Sequence, residues 1–91
     1  LALTRLTTGR CLYVDPADHG IAHHLIVSGY WESWITEVVR RSVRAGDHVV
    51  EVGANFGYYS VLIADLVGSE GSLLTLEANP RLAELTAMSL H

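Results

Sequence analysis

The 91-residue sequence has no lysine, one cysteine, two prolines and a single phenylalanine. Six arginines against ten acidic residues leave a net charge of −4. That balance argues against a nucleic-acid or anionic-membrane partner. No apolar run approaches the length of a membrane span. No basic, apolar and small-residue series marks a secretory signal near Leu1. Cys11, alone, excludes an internal disulfide and fits a reducing, cytoplasmic compartment. Metal-ligand sets are also missing. His19 and His23 stand at i, i+4, but no HExxH glutamate or cysteine accompanies them, so the expectation is a surface or core-edge histidine pair and no metal. What the chain does have is apolar residues, 49% of it, enough for a packed core and too many for a disordered chain.

The most informative stretch is Asp47 to Ser60. Val49, Val50 and Val52 read as a buried strand. At Gly53 the composition changes to Gly53-Ala54-Asn55-Phe56-Gly57, and an apolar run continues to Val67. This is strand, glycine-bearing turn, helix. A second strand, Ser72 to Leu76, ends in Glu77, giving a βαβ unit with a carboxylate at its second tip. Ligands of parallel sheets bind beyond the carboxyl ends of the strands, so Gly53 and Glu77 are expected to share one crevice.

Two ligand classes compete for that crevice. A dinucleotide wants G-x-G-x-x-G, with a pyrophosphate at the helix N-terminus. Here Asn55 replaces the middle glycine, and Tyr58 stands where a third would pack closely against the strand. A pyrophosphate also gives no use to Glu51, a carboxylate within an apolar strand that would be costly unpaired. S-adenosyl-L-methionine accounts for these residues better. Backbone at Gly53, Ala54 and Gly57 would approach its methionine part, Asn55 would bind the carboxylate or fix the loop, and Glu51 would favour the ammonium. Glu77 would accept the ribose hydroxyls, and Ala78 would pack on adenine. A left-handed turn residue remains the alternative for Asn55, and a structural carboxylate with its own partner the alternative for Glu51.

Glu51-Val52-Gly53-Ala54-Asn55-Phe56-Gly57-Tyr58-Tyr59-Ser60, followed by Leu76-Glu77-Ala78-Asn79-Pro80, resembles the Rossmann-like S-adenosylmethionine-dependent methyltransferases, and within them the FkbM family. Gly29-Tyr30-Trp31-Glu32 and Ala45-Gly46-Asp47 are similar to that family's lead-in. The resemblance covers roughly residues 15 to 85 and departs at Ala78, where the family often has proline. It implies a truncated α/β fold and O-methylation of a hydroxyl on a sugar, polyketide or similar small-molecule acceptor. No general base is apparent in the residues at hand. The alternatives are an NAD(P)-binding oxidoreductase fragment and a non-catalytic Rossmann-like binding module.

The remaining segments supply the setting. Within residues 1–28, Leu3–Leu6 and Cys11–Val14 read as a β-hairpin at the edge or mouth of the domain. A short helix follows from about His19 to Val27, capped by Asp18, with Ile21, Leu25 and Ile26 inward. Residues 29–91 form the cofactor-binding portion of the same single domain, and the chain is expected to be the front part of a longer enzyme. Trp31, Trp34, Ile35, Val38, Val39 and Val43 recur at helical spacing and predict an amphipathic helix ended by Gly46, its stripe facing the core. Glu32 begins this helix, where an acid suits the dipole; the resemblance makes it a candidate cofactor or substrate contact as well. Asn79 and Pro80 have the chemistry of an N-cap and first helical residue.

Overall fold

The computed structural model describes residues 1–91. The elements run β1 (Ala2–Arg5), β2 (Cys11–Val14), α1 (Ile21–Ser28), α2 (Ser33–Ser42), β3 (His48–Val52), α3 (Tyr58–Val67), β4 (Ser72–Leu76) and α4 (Pro80–Leu90). β1 and β2 form an antiparallel pair. β3 and β4 are parallel, with His48 opposite Ser72 and Val52 opposite Leu76. A parallel pair needs a crossover, and α3 supplies it. The return into β4 is tight at Gly71, where an added Cβ would lie 2.5 Å from Asp47 O and from Val67 Cβ.

The apolar residues of α3 explain its place. Tyr58, Ser60, Val61, Leu62, Ile63 and Val67 are all buried, as a helix apolar nearly all round requires. Leu12 and Val14 from β2, Ala22 and Leu25 from α1, Phe56, Tyr58 and Val61 at and within α3, and Leu85 from α4 pack with Leu6 into one cluster. The hairpin is therefore part of the central core, not an appendage at its edge. The alternation of β2 buries Leu12 and Val14 completely, and α4 ties itself to this strand through a bond from Tyr13 N–H to Ser89 Oγ (2.9 Å). Residues before and after position 28 thus contribute to the same core.

Three expectations need correction. Within α1 it is Ala22 and Leu25 that are buried, while Ile26 faces solvent. Helix α2 stops at Ser42, with Val43 already extended; Gly46 instead serves the turn into β3, where Asp47 accepts the N–H of Arg44 (2.8 Å). The largest change concerns the α2 stripe: Trp34 is 78% exposed and Val38 61%, and the buried residue of this helix is Thr36. Thr36 donates to Trp31 O (2.7 Å) and shares a hydrogen bond with Tyr58 Oη (3.1 Å), which turns that side of α2 toward α3.

The β3–β4 sheet is covered by helices on one face. Val49, Glu51, Leu73 and Thr75 are half-buried there. Val50, Val52, Leu74 and Leu76 point to the other face and are exposed.

Candidate functional site

At the carboxyl ends of β3 and β4 the two strand tips adjoin. Gly53 N–H donates to Leu76 O (2.8 Å), and Ala54 N–H reaches the same oxygen at 3.3 Å. Glu77 faces the bend. Its Oε1 accepts Asn55 N–H at 2.7 Å, and its Oε2 accepts Asn79 N–H at 2.8 Å. One carboxylate therefore clasps the β3–α3 loop and the start of α4. These donated bonds, Asn79 first and then Asn55, hold the Glu77 carboxyl below its ordinary range. Each carboxylate oxygen still has a second acceptor position, so hydroxyl groups of a ligand can add to the clasp.

The loop has the conformation its residues allow. Gly53 is at φ 80° and Asn55 at φ 55°, the left-handed region that glycine and asparagine enter most readily. Asn55 Oδ1 accepts the N–H of Phe56 (2.8 Å), and Asn55 O accepts the hydroxyl of Thr86 (2.8 Å). The Asn55 side-chain oxygen thus fixes its own turn. An added Cβ at Gly53 would meet nothing within 4 Å, so this glycine opens onto free space. Gly57 differs: a Cβ there would lie 2.9 Å from Thr86 Cγ2, so its lack of a side chain serves the seat of the loop on α4.

Gly53 lies in the wall of two hollows. One, about 390 Å³, is a shallow cleft between the tips, lined by Val52, Gly53, Leu76, Glu77 and Ala78. The other, about 200 Å³, lies on the α2 side and includes Trp31, Glu32, Ala54, Asn55 and Tyr59. A ligand passing over Gly53 would occupy both.

Of the residues marked in the sequence, Gly53, Ala54, Asn55, Glu77 and Ala78 line these hollows. Gly57 and Glu51 do not. Gly57 is buried against α4. Glu51 points toward α3, and its Oε1 accepts the hydroxyls of Ser60 (2.5 Å) and Thr75 (3.1 Å). The carboxylate that seemed to need an external cation has two internal donors. Their signal was present in the sequence: Ser60 is the one small uncharged polar residue in the apolar run of α3, and Thr75 interrupts the leucines of β4. Sequence reasoning did not pick out Tyr59, whose hydroxyl donates to Glu32 Oε1 (3.0 Å). His19 and His23 stack edge to face with ring centroids 4.8 Å apart, and no group of three or more His, Cys, Asp or Glu side chains is placed to hold a metal ion.

The profile of the family described as Protein-L-isoaspartate(D-aspartate) O-methyltransferase (PCMT) matches residues 10–91. The chain belongs to this family. PCMT proteins are class I methyltransferases that use S-adenosylmethionine, and a truncated Rossmann-like α/β fold agrees with that membership. Relatives include the protein-L-isoaspartate O-methyltransferase of Ignicoccus hospitalis, 50% identical over 42 residues, which are 46% of this chain and 20% of that protein. The enzyme of the same name from Methanococcus aeolicus is 38% identical over 48 residues, 53% of this chain and 22% of the relative. Protein-L-isoaspartate O-methyltransferase 2 of Archaeoglobus fulgidus is 43% identical over 42 residues, 46% and 19% of the two chains. The matched segments span about a fifth of the length of these relatives. No solved structure matches. The FkbM resemblance is thereby reduced to what the two families share, the methyltransferase class and its cofactor, and membership in PCMT weighs against the NAD(P) alternative. No helix is long and apolar enough to cross a membrane.

Proposed function

We propose that this chain carries the methyl-donor site of an S-adenosylmethionine-dependent methyltransferase whose acceptor is the carboxylate of an isoaspartyl residue in a protein. The observation that carries the reading is the clasp of Glu77 on Asn55 N–H across adjoining strand tips, with Gly53 open to the hollows on either side. The residues fit the donor. Glu77 would take the ribose hydroxyls on its remaining acceptor positions, and Ala78 would lie against the adenine in the shallow cleft. Gly53, Ala54 and Asn55 would border the methionine arm.

When bound, the donor supplies a sulfonium methyl whose C–S bond breaks as an in-line C–O bond forms to the acceptor. The protein's part is to hold the two in line, and effective molarity makes that contribution large. The acceptor class is supported by the names of the relatives and by a point of chemistry. A hydroxyl acceptor, such as the sugar or polyketide the loop motif suggests, calls for a base near its proton. A carboxylate is already ionised at neutral pH and needs none, which suits a site where Glu77 is engaged in holding the loop and Glu51 is engaged by Ser60 and Thr75.

The test is methyl incorporation from labelled S-adenosylmethionine by the intact protein. Label entering an isoaspartyl peptide as a base-labile ester, with none in the matching aspartyl peptide, is the expected result. Base-stable label in a sugar or polyketide alcohol, with none in the peptide, would replace the isoaspartyl reading with the hydroxyl one.

A further inference from the structure

Glu32 is the one carboxylate in the wall of the cavity on the α2 side of Gly53. Its backbone is in an unusual state. It occupies the N-cap position of α2 at φ 45°, yet its side chain makes no capping hydrogen bond. Non-glycine residues in the left-handed region are uncommon, and such conformations concentrate at binding sites. Instead of capping the helix, the carboxylate accepts the Tyr59 hydroxyl through Oε1 (3.0 Å). Oε2 makes no hydrogen bond within the protein. Tyr59 is a dependable donor, since burial and the adjacent Glu32 charge push its phenol up to about 12. Glu51, the other carboxylate near the loop, lines neither hollow, and its Oε1 is held by Ser60 and Thr75.

We propose that Glu32, rather than Glu51, receives the α-ammonium of the donor's methionine arm, and that Tyr59 positions it. The proposal rests on the S-adenosylmethionine reading above and goes beyond it by naming the group that recognises the amino-acid end. A charged acceptor with one free oxygen, beside Gly53 and at the far side of the bend from Glu77, is placed for an ammonium. The ribose end is held from the other tip. The two carboxylates thereby divide the ligand between them.

The experiment measures binding of two probes by calorimetry to the intact protein, its Glu32→Gln variant and its Tyr59→Phe variant. S-adenosylhomocysteine carries the ammonium; 5′-methylthioadenosine has the same nucleoside without the amino-acid arm. Glu32→Gln is isosteric and exposed, so the fold is retained. It is expected to weaken S-adenosylhomocysteine by about tenfold, the scale of a charge-assisted hydrogen bond, and to leave 5′-methylthioadenosine unchanged. Tyr59→Phe is expected to act in the same selective sense by about threefold, less than Glu32→Gln because the phenol acts only through the position of Glu32. Unchanged S-adenosylhomocysteine affinity in Glu32→Gln, or equal losses for both probes, would overturn the assignment. Failure of the unaltered protein to bind either probe would overturn the methyl-donor reading itself.

Discussion

Replacing Gly57 by alanine asks whether the site loop is seated by packing on α4. Gly57 has φ 90°, and a Cβ there would lie 2.9 Å from Thr86 Cγ2, 3.1 Å from its Oγ1 and 3.2 Å from its Cβ. The backbone contribution is the left-handed conformation, roughly 1–2 kcal/mol for an L residue. Crowding adds about 1–3 kcal/mol, the usual range for overpacking. Thr86 cannot simply rotate away, because its hydroxyl holds Asn55 O at 2.8 Å. Reduced freedom of the unfolded chain returns about 0.4–1 kcal/mol. The expected net destabilisation is roughly 2–4 kcal/mol. Gly53→Ala is the control, since its φ is 80° but its Cβ would meet nothing within 4 Å. It should cost only the backbone part, about 1 kcal/mol. Urea unfolding of the intact protein, with unchanged m-values, measures both. Adding Thr86→Ser to Gly57→Ala removes Cγ2, keeps the hydroxyl and should recover part of the loss. If the two glycine variants agree within about 0.5 kcal/mol, or if Thr86→Ser restores nothing, the seating argument is wrong.

Two further outcomes follow from the hydrogen-bonded carboxylates. Glu77, through Asn79 and Asn55 N–H, and Asp18, through Gly20 and Ala22 N–H, both lie below their ordinary values of 4.5 and 3.8. Their stabilisation is therefore complete above those values and is lost as pH falls through the lower folded ones. Thermal melts from pH 6 down to 3 should show a fall that is shallower in Glu77→Gln; an identical slope would remove Glu77 from the account. Ser60→Ala should destabilise by about 1–3 kcal/mol by taking a buried donor from a carboxylate, as chemical denaturation would show, and a neutral result would mean Glu51 is held by Thr75 alone.

The local sequence determined the elements that bear on function. Tyr58–Val67 was legible as a helix from its apolar run, and Asn79-Pro80 as the start of α4 from cap chemistry, with Asn79 Oδ1 accepting the N–H groups of Arg81 and Leu82. The glycine bend and the carboxylate tip were legible from spacing along one βαβ unit, because a parallel crossover puts successive tips side by side. Tertiary structure alone decided which surfaces meet. Trp34, Ile35, Val38 and Val39 mark one side of a helix, but periodicity does not say which side finds a partner, and Thr36 rather than Trp34 turns inward. The sequence leaves Glu51 between a ligand cation and an internal partner, because its donors stand nine and twenty-four positions away. Glu32 and Tyr59 were brought together across twenty-seven positions. A carboxylate's partner is set by three-dimensional proximity, which short-range pattern does not encode.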